Sequence, residues 1–262
     1  MSQRKVPAEY RPEPPTKNLT RGGMRLRTRL IVRRILLALF RVILGLRVQG
    51  LDRVPADGPM ILISNHLHNL DPLITQTTLR RNCHFFTKQE AFTYPVIRNI
   101  ARWGGGFPVD RGTPDRWAIR RAEALLEAGI AVGVYPEGTR STTLGLQKGF
   151  AGAGLVALRS GAPVVPSIIT GSERMPFNGK KGKLHAGMPW PDPGHKGVRV
   201  KFGEPFLVPR ELNGKRLSAD EATDLMMIEL EKMLPPDYRG VYADRVAEAP
   251  PLPTPPPTVE PS

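Results

Sequence analysis

Two imidazoles and a carboxylate fall within the seven residues Asn65-His66-Leu67-His68-Asn69-Leu70-Asp71. An imidazole that donates from one ring nitrogen to a carboxylate keeps its other nitrogen basic, so a His–Asp pair can serve as an oriented general base. On a regular helix His66 and Asp71, five positions apart, would point about 140° away from each other at 3.6 residues per turn. They meet only across a turn. Met60 to Ser64 reads as a buried strand, and Asp71-Pro72 reads as an N-cap with proline at the first helical position. A strand, a loop and a helix running toward Arg81 would supply that turn. The segment admits two other readings. Asp71 can be a plain helix cap with His66 a turn residue, or His66, His68 and Asp71 can be metal ligands, with His84, His185 and His195 in reserve. No second metal-like spacing accompanies them, so no metal is expected.

Two further segments are rich in groups that bind anions: Gly105-Gly106-Phe107-Pro108-Val109-Asp110-Arg111 and Tyr135-Pro136-Glu137-Gly138-Thr139-Arg140-Ser141. The planar fork of Arg111 matches phosphate oxygens, although Asp110 and Asp115 are alternative partners for it. Gly138 permits close backbone approach, and Arg140 adds positive charge. On its own the second segment is a polar turn after a strand.

In this order, with Val165-Pro166 as a fourth block, the segments resemble the lysophosphatidic acid acyltransferase family, the HxxxxD glycerolipid acyltransferases. The likeness runs from Ile61 to Ile169, with more at Lys88, Lys148-Gly149 and Val200 to Pro205. It implies a fatty acyl transfer from acyl-CoA or acyl-carrier protein to the hydroxyl of a lysophospholipid, giving phosphatidic acid in phospholipid synthesis, without a cofactor. His66 would be the base and Asp71 its orienting partner. Asn65, Arg111, Glu137, Gly138, Thr139 and Arg140 would bind substrate, with Lys88 and Lys148 as secondary contacts. The resemblance also implies an acyl-chain tunnel and a membrane-anchoring N-terminal helix. This chain departs from the pattern at His68, where serine is usual, at Pro108 and at Ser167. A second imidazole beside the base can perturb its pKa or touch the acceptor headgroup, which would allow another lysolipid or an amino-acid lipid as acceptor.

The elements that must position these residues read as α/β. After Gly50, short β-rich runs alternate with amphipathic stretches: a helix over 114–128 ending at Gly129, a strand Ile130 to Tyr135, a helix Gly152 to Arg159, and strands Pro163 to Ile169 and Val198 to Phe202. Ser218 and Glu221 predict a capping box for a helix ending before Pro235. The expectation is one glycerolipid-acyltransferase-like domain over 49–235, with a largely parallel sheet flanked by helices. Disordered ends are expected over 1–23 and over Pro250 to Ser262, the latter within a Pro-rich C-terminal tail over 236–262.

A formal charge of +14 and a pI near 10.4 imply an anionic partner, and composition alone leaves nucleic acid, a lipid surface and a phosphorylated substrate open. Arginines crowd around the apolar run Ile35 to Leu46, which predicts a basic amphipathic helix over 24–48. Its apolar run falls short of the roughly 20 residues a bilayer span needs. Arg41 interrupts it and no small-residue cleavage site follows, so a signal peptide is not expected. Lying in the interface suits it better: a peripheral or monotopic attachment to an anionic surface at the cytoplasmic face of the cell membrane. No nucleic-acid motif is present, and nucleic acid is not expected as a partner. Cys83, the sole cysteine, reads as a small core residue.

Overall fold

The computed structural model describes residues 26–93, 98–99, 106–109, 115–175 and 197–256. Helix α1 spans Leu26–Ile43, strand β1 Arg47–Gln49, β2 Ile61–Ser64, helix α2 Asp71–Thr78, β3 Cys83–Lys88 and β4 Phe107–Val109. Helix α3 spans Arg116–Glu127, β5 Ala131–Val134, α4 Gly152–Ser160, β6 Val164–Thr170, β7 Arg199–Phe202 and α5 Ala219–Met233. Among the described residues the sheet is ordered β1-β7-β6-β2-β5-β3-β4. Strands β6, β2, β5, β3 and β4 run parallel, β7 is antiparallel to β6, and β1 runs with β7. The expected largely parallel α/β sheet is therefore present, with one antiparallel pairing.

Strand β2 is buried at every residue because both faces of the sheet are covered. Ile61 and Ile63 face a core shared with α3, α4 and α5, including Leu125, Val156 and Met226. Met60 and Leu62 face the other core, where Phe40 and Leu44 of the α1 region and Ile74 of α2 pack. Helix α3 begins at Arg116 under a cap from Asp115, whose Oδ1 accepts from Trp117 N and Ala118 N. The expected start of this helix at 114 lies outside the described residues. The Ser218–Glu221 capping box of α5 is present.

Several expectations are corrected. Helix α2 stops at Thr78 rather than near Arg81, and Arg33 of α1 donates to the freed carbonyls of Thr78 (3.0 Å) and Leu79 (2.7 Å). Asp71 is the first residue of α2, preceded by Leu70 at the cap position, so it is not the cap itself. The chain from 236 onward is not a tail as far as residue 256. It forms short 3₁₀ turns at Pro236–Tyr238 and Ala243–Arg245, buries Tyr242, and receives a hydrogen bond from Leu207 N at Pro253 O (2.7 Å). The expected tail over 1–23 lies outside the described residues. None of the described helices is long and apolar enough to cross a membrane.

Candidate active site

Strands β2 and β5 are parallel neighbours with Ile63 opposite Val134, so the loops that follow them leave the same edge of the sheet side by side. The first loop carries His66 and the second carries Glu137. Pro72 at the start of α2 holds the first loop to a tight turn, and across it His66 Nδ1 lies 3.0 Å from Asp71 Oδ2. The same Oδ2 accepts the backbone N–H groups of Leu67 (2.7 Å) and His68 (2.6 Å). An oxygen that takes two amide donors is an acceptor for the ring as well, so His66 carries its proton on Nδ1 and presents a lone pair at Nε2. Asp71 is fully buried and His66 is 6% exposed. The arrangement can accept a proton from a hydroxyl brought to Nε2.

Two residues expected to bind substrate also hold backbone groups. Asn65 Nδ2 donates to Ile169 O (2.9 Å) and its Oδ1 accepts Ile169 N (2.8 Å), which pins the loop to β6. Glu137 Oε1 accepts His66 N (2.8 Å) and Oε2 accepts Gln147 N (2.9 Å). Both side chains are 2% exposed. Burial pushes the Glu137 carboxyl up to about 8, opposed by the two amide donors and reinforced by the charges of Asp71 and Glu231. Ser141 N donates to His66 O (2.7 Å), so both backbone polar groups of the base are held by the second loop.

The remaining expected residues are placed as follows. Gly138 adopts a left-handed φ of 64° in the turn, Thr139 is exposed, and Arg140 is half-buried. Burial lowers the Arg140 pKa and the nearby Asp71 charge raises it, which places this cation within electrostatic reach of the His–Asp pair. Lys88 ends β3 opposite Val109, the last residue of β4, and its side chain is exposed; Lys148 is exposed on the loop before α4. Arg111 lies two positions beyond β4 and outside the described residues. His68 is buried, with Nδ1 accepting Leu70 N (3.1 Å), so its ring serves its own turn. His84 is buried on β3, and His185 and His195 lie outside the described residues. Among the described residues no three histidine, cysteine or acidic side chains are grouped to hold a metal. Cys83 is fully buried and burial pushes its thiol up.

The sequence reading named Tyr135 only as part of its block. Its ring stacks on His66 at 4.4 Å between centroids, and Phe85 stacks on it at 5.8 Å. Strand alternation from Ala131 was the available signal, because it points residue 135 to the same face as α2.

A loop pair at one sheet edge, carrying a carboxylate-oriented imidazole over a parallel α/β core, matches the class of the acyltransferases: the Acyltransferase family model covers residues 45–170. The 1-acyl-sn-glycerol-3-phosphate acyltransferase of Bacillus subtilis is 30% identical over 142 residues, which are 53% of this chain and 70% of that protein. A chloroplastic 1-acyl-sn-glycerol-3-phosphate acyltransferase of Brassica napus is 33% identical over 143 residues, 53% of this chain and 41% of that one. The crystal structure of the 1-acyl-sn-glycerophosphate acyltransferase of Thermotoga maritima superposes with a TM-score of 0.51 at 20% identity, over 78% of this chain and 82% of that one, and so shares the fold. The chain belongs to the 1-acyl-sn-glycerol-3-phosphate acyltransferase family. It spans about two fifths of the length of the plant relatives, 41% of the Brassica napus protein and 43% of one from Arabidopsis thaliana.

Proposed function

We propose that this protein transfers a fatty acyl group from acyl-CoA or acyl-carrier protein to the hydroxyl of lysophosphatidic acid, giving phosphatidic acid. The observation that carries the reading is the 3.0 Å His66 Nδ1–Asp71 Oδ2 pairing, which leaves Nε2 as the basic nitrogen. Nε2 takes the proton of the acceptor hydroxyl as its oxygen attacks the thioester carbonyl carbon. The tetrahedral adduct then collapses, the C–S bond breaks, and the leaving thiolate recovers the proton from the imidazolium. The acyl group passes directly between substrates, so no acyl-enzyme forms. Arg111 and Arg140, with Lys88 and Lys148 behind them, would attract the acceptor phosphate.

The reaction is assigned to the cytoplasmic face of the cell membrane. Helix α1 supports this with an exposed stripe of Ile31, Ile35, Leu39 and Val42, opposite the face that packs on the protein through Leu36, Leu37 and Phe40. Such a stripe flanked by arginines suits a peripheral anchor lying in an anionic interface.

The test is to incubate detergent-solubilised protein with oleoyl-CoA, or with acyl-carrier protein as donor, and a panel of lysolipids. Thiol release and lipid product are followed for wild type and His66→Ala. Release that needs both lysophosphatidic acid and His66, with the variant slower by roughly 10²- to 10⁴-fold, is expected of a positioned general base. A variant of near-normal rate would remove His66 from the chemistry.

A further inference from the structure

Beyond the region matched by the family model, the chain returns to the candidate site. Residues 236–246 form a strap across the loop 141–150, next to the Glu137 turn. Leu146 N donates to Tyr238 O (3.2 Å), Val241 N donates to Leu146 O (3.1 Å), and Gly149 N donates to the Tyr242 hydroxyl (3.1 Å). The strap is itself fixed to the body of the domain. The Tyr242 hydroxyl donates to Asp224 Oδ1 of α5 (2.9 Å), and Gly240 N donates to Glu231 Oε1 of the same helix (2.6 Å). At the other end the Tyr238 hydroxyl accepts Gly171 N (3.1 Å) and donates to Glu173 Oε1 (2.9 Å), just past β6. Tyr242 is 2% exposed, and Gly240 packs so tightly on Leu146 that a Cβ there would sit 1.9 Å from the Leu146 carbonyl oxygen.

The loop under the strap is the one that reaches the base. Gln147, between Leu146 and Gly149, holds one oxygen of Glu137, and the other oxygen of Glu137 holds the amide of His66. The buried Glu137 carboxyl group joins the two amides through one planar unit, so displacing the loop at Gln147 also displaces the His66 amide. We infer that residues 236–246 are a positioning segment of the active site, acting on His66 through Gln147 and Glu137. The inference rests on the reading of His66 as base and of Glu137, Gly138, Thr139 and Arg140 as acceptor-binding residues.

The test uses the full chain with Tyr242→Phe, which keeps the buried ring and removes the hydroxyl, and Gly240→Ala, which forces the strap off Leu146. Amide exchange is measured over 64–71 and 144–150 together with steady-state kinetics. Loss of the Gly149 N–H bond to the Tyr242 hydroxyl, together with that hydroxyl's bond to Asp224, should speed exchange at Gly149, Gln147 and His66 by about tenfold or more, with β6 as an unchanged reference. The KM for lysophosphatidic acid should rise several-fold while the donor KM holds, whereas a simple loss of folded protein would lower turnover and leave both KM values alone. If exchange over 64–71 is unchanged in both variants, the strap does not position the base and the inference is overturned. Should the wild-type protein show no His66-dependent acylation, the functional reading falls, but exchange still decides the coupling.

Discussion

At the scale of single residues, the least usual group in the site is the Glu137 carboxyl, buried and raised to about 8. In the unfolded chain an ordinary glutamate releases its proton near 4.5, so between those two values the folded protein holds a proton that the unfolded chain has lost. Stability then falls as pH rises through that window, by up to a few kcal/mol, and is fully present only below it. Glu137→Gln cannot titrate. The difference in urea midpoint between wild type and this variant should shift against the wild type from pH 5 to pH 8.5, since the other groups cancel in the comparison. A difference independent of pH would mean that Glu137 is ionised in the fold. The roles of Asn65 and Glu137 were not legible in the sequence, because their partners are backbone groups of residues 104 and 71 positions away. By contrast the His66–Asp71 pairing was legible, since a strand, a short loop and a proline at the helix start leave the two side chains one way to meet.

At the scale of elements, the site is shaped from behind by a close approach within the sheet. A Cβ on Gly133 of β5 would lie 2.4 Å from the Phe85 ring of β3, so that ring occupies the space a side chain would take. Phe85 stacks on Tyr135, and Tyr135 on His66. Gly133→Ala therefore displaces the Phe85 ring that stacks on Tyr135; overpacking of this kind costs about 1–3 kcal/mol. The expected outcome is a lower melting temperature with a turnover loss larger than the loss of folded protein explains. Full turnover in the folded fraction would show that the stack does not hold the imidazole. Longer elements such as α3 and α5 were legible from apolar spacing and capping residues. Strands β3 and β4 were missed: His84 and Lys88 break the apolar run in one, and the other is three residues long with a proline at its centre. The Asn213-Gly214 turn between the two-residue strands Glu211–Leu212 and Lys215–Arg216, with both φ values positive, carried a hairpin signal that was not read. The strap was misread for a different reason. It was grouped with the Pro-rich residues that follow it, whereas two tyrosines and a chain of amide donors tie it to the core.

At the scale of the whole molecule, the question is how a strongly basic protein whose described helices cannot span a bilayer would meet the lysolipid proposed as its acceptor. Helix α1 is amphipathic in an unusual sense, with one apolar face turned to the core and another turned outward, where Val42 is 84% exposed. Contiguous exposed aliphatic groups on a soluble surface are unfavourable unless something covers them. Arg34 and Arg41 are exposed on the same helix, which favours an anionic bilayer surface as the cover. Arg33, by contrast, turns inward and ties α1 to the end of α2. The helix is thereby fixed to the element that begins with Asp71, so an interface that receives α1 also sets the distance of the His66–Asp71 pair from the lipid. Ile35→Glu with Leu39→Glu places two carboxylates on the outward face without touching the packed one. Flotation with anionic vesicles should fall by about tenfold or more, while acylation of detergent-dispersed lysophosphatidic acid stays at the wild-type rate. Unchanged flotation would assign membrane attachment to another surface, and a parallel loss of activity in detergent would mean that the outward face of α1 also supports the fold.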